Sequence, residues 1–123
     1  GEIQRTARAF SSDNEAVFVE KFLEQAEKSK LVDLTEDIWL VLENTDSFDI
    51  EKGDWSAVEY HASHAGRDWK TKREVMEAGK PINAPIILKY GDRYHKVAGN
   101  TRLMISRAEG ETPKVLLVEM NQE

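Results

Sequence analysis

One stretch of the chain reads Tyr94-His95-Lys96-Val97-Ala98-Gly99-Asn100-Thr101-Arg102-Leu103-Met104-Ile105. Its pattern predicts a short strand, a glycine turn and then a helix whose first residues are Asn, Thr and Arg. A turn of this kind directs backbone N–H groups, a hydroxyl and a guanidinium at one point, which suits a phosphate group. The alternative is a plain strand-to-helix connection, in which Asn100 or Thr101 caps the helix and Gly99 relaxes the turn.

The segments on both sides of this stretch predict a small sheet. Upstream we expect a helix over Trp69–Ala78 that Gly79-Lys80-Pro81 stops, a strand over Pro85–Tyr90 and a tight turn at Gly91-Asp92-Arg93. Downstream, the helix ends at Gly110 and a final strand covers Lys114–Met120. This order of elements predicts the α+β class: a small mixed sheet with packed helices, preceded by a helical N-terminal extension.

The first half of the chain reads mainly as helix and loop. Ser12 and Glu15 have the spacing of a capping box, and an apolar stripe continues from them to about Ser29. A second, short helix opens at Leu34-Thr35-Glu36-Asp37 and ends near Asn44, and residues 45–55 read as a loop. The segment from 55 to 61 fits either a short strand or a longer loop. We therefore expect a helical extension over residues 1–50 and one compact domain over residues 51–123.

Composition narrows the class of protein. The chain has 123 residues, no cysteine and a net charge of −6. Without cysteine there is no disulfide scaffold, no thiol nucleophile and no thiolate metal site. No apolar run is long enough to span a bilayer and no signal peptide is present, so we expect a cytoplasmic protein without a membrane partner.

The charge is distributed unevenly along the chain. Residues 67–107 carry ten basic and four acidic side chains, whereas residues 1–66 carry six basic and fifteen acidic ones. An acidic chain binds nucleic acid poorly through phosphate contacts alone. The basic segment, which contains the glycine turn, can still hold a small anion or nucleotide. Equally, it can serve only to pair with the acidic half.

Residues 69–120 resemble the ParB/sulfiredoxin-like superfamily in the order of elements and in local sequence. The first two shared features are a helix that ends in glycine, Glu74-Val75-Met76-Glu77-Ala78-Gly79, and a strand with an early proline, Ala84-Pro85-Ile86-Ile87-Leu88. The signature itself is Ala98-Gly99-Asn100-Thr101-Arg102-Leu103, which is followed by the small-residue helix Ser106-Arg107-Ala108-Glu109-Gly110 and a terminal apolar strand.

The resemblance implies that Gly99, Asn100, Thr101 and Arg102 line a site for the phosphates of ATP, ADP or CTP. The sulfinic-acid reductase activity of sulfiredoxin is excluded because the signature has no cysteine, and a single signature arginine separates the chain from the DNA-clamp ParB proteins. Gly-Asn-Thr-Arg is closer to the Gly-His-Thr-Arg of stand-alone members that phosphorylate a hydroxyl, such as free serine kinases. The implied activity is ATP-dependent phosphoryl transfer with Mg²⁺ to a hydroxyl. The acceptor would be a metabolite or a hydroxymethylated base in DNA, and the latter would suit a phage-encoded enzyme.

Phosphoryl transfer needs charge neutralisation and a carboxylate that orients the acceptor. Arg102 can supply the first, and Lys70 and Lys72 can reach the same pocket from the preceding helix, although an exposed basic face is their alternative. Glu59 is the predicted catalytic carboxylate, and Asp54 and Asp68 follow it.

Two further hypotheses come from other residues. Glu59, His61 and His64 suggest a metal site and hence a metal-dependent nuclease, although we predict no metal ligands. A non-catalytic module, in which nucleotide occupancy switches a contact with protein or DNA, remains the other alternative. His95, on the strand before the turn, reads as a satisfied strand histidine or as a group that supports the site.

Overall fold

The structure is a computed structural model that describes residues 2–10, 14–45, 47, 49–78 and 83–121. Within these residues the elements are α1 (Glu2–Phe10), α2 (Glu15–Lys28), β1 (Leu31–Asp33), α3 (Glu36–Val41), β2 (Leu42–Glu43), α4 (Trp55–His64), α5 (Trp69–Glu77), β3 (Ile86–Tyr90), β4 (Arg93–Ala98), α6 (Asn100–Glu109) and β5 (Lys114–Met120). The α+β class is therefore confirmed. None of the described helices is long and apolar enough to cross a membrane.

The sheet is mixed and has the strand order β1-β5-β3-β4-β2. The β3–β4 hairpin is antiparallel, and β5 returns parallel to β3 after the chain has passed through α6. β1 joins β5 antiparallel and β2 joins β4 parallel, so both outer strands come from the first half of the chain. The division of the chain at residue 50 stays a prediction, and the sheet takes strands from both sides of it.

Helices cover both faces of the sheet, as the alternation of buried residues along its strands requires. On one face, Leu88 and Val118 pack with Phe18 and Phe22 of α2. On the other, Ile87 packs with residues of α3 and α6. The sheet therefore lies between two helical layers, and α6 belongs to the second.

α6 connects the sheet to a further pair of helices. Its outer residues Met104, Ile105 and Ala108 form a second core with Val58 of α4 and Trp69 of α5. Helix α6 is therefore buried on most sides, and its position is fixed by three neighbouring elements.

Several predictions about single elements are confirmed and one is wrong. The predicted order from residue 69 onward is the order of α5, β3, β4, α6 and β5. The segment 55–61, predicted as a strand or loop, is instead the helix α4, because Val58 and Ala62 lie four residues apart on one buried face and Asp54 caps its start. Ser12 and the predicted stop at 79–81 lie outside the described residues. Helix α1 and the strands β1 and β2 are elements that the sequence did not indicate.

Candidate functional site

Gly99 occupies a position at which no other residue fits. Its φ is +97°, in the left-handed region that favours glycine. A Cβ atom added to Gly99 would lie 2.6 Å from the Cα of Pro85 and 2.7 Å from its Cβ. Pro85 is itself buried and its carbonyl accepts a hydrogen bond from Leu116 N–H in β5. The turn is therefore pressed directly against the start of β3.

No side chain of residues 2–10, 14–45, 47, 49–78 or 83–121 caps the start of α6. Gly99 is the N-cap residue, and the first hydrogen bond of the helix runs from Leu103 N–H to the Gly99 carbonyl. The suggestion that Asn100 or Thr101 caps the helix is therefore wrong. The N–H groups at the first three positions of a helix have no partner within it, and together they attract an anion.

Thr101 has a buried hydroxyl that finds no partner in the part of the chain that the structure describes. The residue is 1% exposed, and its Oγ1 makes no hydrogen bond to any of the described residues. A buried hydroxyl left without a partner is unfavourable by about 1–3 kcal/mol. Such an atom in the first turn of an uncapped helix is explained if a bound polar group completes its hydrogen bonding.

Arg102 is half-buried, and its Nη1 donates to the carbonyl of Asn83 at 2.8 Å. Burial lowers the pKa of Arg102, since the charged guanidinium is partly removed from water. A desolvated cation next to open N–H groups attracts an anion more strongly than an exposed one. The four residues Gly99, Asn100, Thr101 and Arg102 are thus brought together as one turn.

The two lysines of α5 differ in their exposure. Lys70 is exposed, with its Nζ 5.8 Å from the centre of the Trp69 ring, and Lys72 is half-buried. Neither makes a contact with Gly99–Arg102 among the interactions of the described residues. Their role in nucleotide binding therefore stays a prediction.

Glu59 lies on α4 and accepts a hydrogen bond from the indole Nε1 of the buried Trp69. It makes no hydrogen bond with the turn residues in the described part of the chain. Glu59 is otherwise exposed to solvent. Its catalytic role likewise stays a prediction.

The two other candidate carboxylates act as helix caps. Asp54 accepts from Ala57 N–H at 3.2 Å, and Asp68 accepts from the N–H of Thr71 at 3.1 Å and from its hydroxyl at 2.7 Å. The hydrogen bond from the Thr71 hydroxyl is the main cause that lowers the pKa of Asp68. Asp54 and Asp68 thus cap α4 and α5, whereas none of the described side chains caps α6.

The histidines have partners of their own. His95 packs edge-on against Phe10, with ring centres 5.1 Å apart, and its Nδ1 lies 3.5 Å from Glu43 Oε1. Burial lowers the pKa of His95, although Glu43 acts in the opposite direction. His64 Nδ1 lies 2.7 Å from the Tyr60 carbonyl oxygen. In the described ranges, no three His, Cys, Asp or Glu side chains form a cluster that could hold a metal ion.

The sequence did not indicate two features near α6. The side chain of Asn100 is held by Thr45, which lies 55 positions earlier in the chain. A cavity of about 570 Å³ opens at the other end of the helix, lined among others by Trp39, Arg107 and Glu36. Both depend on contacts between segments that are distant in the chain, and no local motif marks them.

Comparison of the chain with protein-family models, with curated proteins and with solved structures gave no match.

Proposed function

We propose that the chain is a ParB/sulfiredoxin-like domain that binds a nucleotide at the Gly99–Arg102 turn and transfers a phosphoryl group from ATP to a hydroxyl acceptor. The observation that carries the proposal is the start of α6, where none of the described residues caps the helix and none forms a hydrogen bond with the buried Thr101 hydroxyl. An anion at this point would accept from the open N–H groups and from Thr101. The confirmed order of β3, β4, α6 and β5 supports the fold family.

The residues of the turn fit a phosphate group better than a metal ion. Gly99, Asn100, Thr101 and Arg102 can offer backbone donors, side-chain donors and a cation to the ligand, and they contribute no carboxylate. Mg²⁺ would accordingly be held through the phosphate oxygens of the nucleotide, as this ion is in many phosphoryl-transfer sites.

The proposed reaction is an in-line displacement at phosphorus. The acceptor oxygen forms a bond to the γ-phosphorus of ATP, the bond between that phosphorus and the β–γ bridging oxygen breaks, and ADP leaves with the electron pair. The acceptor proton passes to a carboxylate, for which Glu59 is our candidate. Arg102 and the N–H groups of α6 neutralise the charge of the transferred group.

Nucleotide binding is tested by thermal unfolding with ATP, ADP or CTP, each with and without Mg²⁺, because a ligand of the folded state raises the melting temperature. We expect a rise for the native chain and none for Arg102→Ala. Arg67→Ala is the matched control, since this exposed arginine lies in the same basic segment. A normal rise in Arg102→Ala would overturn the site assignment.

Catalysis is tested with γ-labelled ATP and two acceptors, a free hydroxyl amino acid and DNA with hydroxymethylated bases. Glu59→Gln should keep the melting shift and lower transfer by about 10²–10⁴-fold, the usual contribution of a general base. Glutamine can still accept from Trp69, so the α4–α5 contact is retained. Native transfer rates in this variant would remove Glu59 from the mechanism.

A non-catalytic nucleotide-binding module is the second candidate. It is favoured by one observation, the hydrogen bond that gives Glu59 a structural partner in Trp69. In that case the melting temperature rises with nucleotide, and all of the label stays in the nucleotide with both acceptors.

A further inference from the structure

A row of hydrogen-bonding groups leads from the core to the first residue of α6. The indole Nε1 of Trp39 donates to Ser47 Oγ at 2.8 Å, and Ser47 Oγ lies 2.7 Å from Thr45 Oγ1. Thr45 Oγ1 in turn donates to Asn100 Oδ1 at 2.5 Å. Trp39 is 2% exposed and Ser47 is fully buried, so this row, which we call the hydroxyl relay, starts away from water.

The direction of the relay follows from its buried end. Trp39 Nε1–H is a donor only, so Ser47 Oγ must accept from it. The hydroxyl hydrogen of Ser47 then needs an acceptor, and the acceptor within reach among the described residues is Thr45 Oγ1. Thr45 Oγ1 also accepts from Ser47 N–H at 3.1 Å. Its own hydrogen is therefore directed to Asn100, which must present its carbonyl oxygen.

This direction determines which way the Asn100 amide faces. With Oδ1 turned towards Thr45, the Nδ2 group points away from the relay as a pair of donors, and it makes no hydrogen bond to the described residues. Asn100 is the first residue of α6, next to the open N–H groups. A rotated amide would instead present an acceptor there, which would repel an anion.

We propose that Thr45 and Ser47 are positioning residues that lock the Asn100 amide with its NH₂ group as a donor, so that the turn selects an acceptor-only oxyanion, the terminal phosphate of a nucleotide. This inference rests on the proposed function and adds to it two residues from outside the family-like segment. A donor fixed in advance loses no freedom when the ligand binds, which strengthens binding.

The segment that carries the relay is itself anchored. Asn44 Nδ2 donates to the carbonyl of Lys96 on β4 at 3.0 Å, and Asn44 adopts a φ of +65° to do so. Asparagine tolerates this left-handed conformation better than most residues. The position of Thr45 is thus set by a strand of the sheet.

The test is a Thr45→Val variant, which has nearly the same shape but no hydroxyl. We expect the affinity for ATP with Mg²⁺, ADP and inorganic phosphate to fall about tenfold, as for the loss of one well-placed donor to a charged group. Thr45→Ser restores the hydroxyl and should restore affinity. If Thr45 had only a structural role, Thr45→Val and Thr45→Ser would bind these ligands equally well whenever their melting temperatures without ligand are equal.

A second readout follows the amide directly. In ¹⁵N-labelled protein, the Asn100 side-chain NH₂ resonances are assigned by their loss in Asn100→Asp. They should shift when phosphate or ADP is added to the native chain, and should move much less in Thr45→Val. If Thr45→Val does not fold, Trp39→Phe removes the first donor of the relay while retaining an aromatic ring. In this variant too, the Asn100 NH₂ resonances should shift only weakly when phosphate or ADP is added.

The outcomes separate this inference from the proposed function. If Arg102→Ala binds nucleotide normally, the proposed site itself is lost. If Arg102→Ala loses binding while Thr45→Val keeps native affinity and an unchanged NH₂ response, the site stands and the relay has no part in it.

Discussion

The two ends of α6 use the same backbone conformation for different purposes. Each is formed by a glycine with positive φ, +97° at Gly99 and +74° at Gly110. Gly110 ends the helix in a Schellman motif, in which Glu111 N–H donates to the carbonyl of Ser106 at 2.9 Å. Gly99 instead brings the chain against the ring of Pro85. One glycine thus terminates a helix, and the other permits a close approach.

The two ends of α6 also differ in the charged side chains around them. At the C-terminal end Arg107 pairs with Glu36 and lies over the Trp39 ring, 4.4 Å from its centre, so the negative end of the helix dipole has a cation of its own. At the N-terminal end, the described residues supply no side chain that caps the helix. The helix therefore neutralises one end internally and leaves donors at the other.

The largest expected difference concerns the two glycines. Gly99→Ala should lower the free energy of unfolding by about 3 kcal/mol, because left-handed strain adds to overpacking against Pro85. Gly110→Ala should lower the free energy of unfolding by only about 1 kcal/mol, since the atoms next to Gly110 belong to the flexible side chain of Lys52. Urea denaturation of both variants measures the difference. An equal decrease in the free energy of unfolding of both variants would show that the contact between Gly99 and Pro85 does not contribute to the difference.

The next effect concerns the arginine at the C-terminal end. Arg107→Ala should lower the free energy of unfolding by about 1–2 kcal/mol, since it removes the contact with Trp39 and the favourable charge at the helix end. The nucleotide-induced melting shift should persist in this variant. Its disappearance would mean that the two ends of α6 are not independent.

The smallest effect is a pH dependence at Glu109, in the last turn of α6. Burial, followed by Glu111 and Glu77, raises the pKa of Glu109. The folded state therefore binds this proton more tightly than the unfolded chain does, and the ionised form at neutral pH is unfavourable. Glu109→Gln should raise the melting temperature by about 1–3 °C at pH 7.

That advantage should shrink as the pH falls through the folded-state pKa of Glu109, where the native carboxyl becomes neutral as well. Melting curves between neutral and mildly acidic pH provide the check. Glu119→Gln, which replaces an exposed acid on β5, is the matched control. A Glu109→Gln variant that is less stable than the native chain at pH 7 would contradict the raised pKa.

Elements with a strong local signal could be predicted from the sequence. The hairpin at Gly91-Asp92, the glycine turn and the helix to Gly110 each carry their own turn residues and periodicity, and all are found in the fold. Helix α4 was missed because its aromatic and histidine-rich sequence resembles a strand. The capping signal of Asp54 and the spacing of Val58 and Ala62 would have identified it.

Features created by distant pairing could not be predicted. β1 and β2 have three and two residues, and only their partners β5 and β4 make them strands. In the candidate site, the roles assigned to the turn residues, to Glu59 and to the lysines of α5 stay predictions. The contact between Thr45 and Asn100 joins two segments without any shared motif, so it emerges only from the tertiary structure.

The placement of β1 and β2 has a consequence for how the chain is made. The outermost strands are synthesised before their partners β4 and β5, so the sheet closes only after a long stretch of chain between them has been made. A chain cut at residue 50 would leave β4 and β5 as open edges, and unpaired edges of this kind promote aggregation. Because β1 and β2 are short, they present few unpaired backbone groups at the edges of the finished sheet, and this disfavours pairing with another molecule.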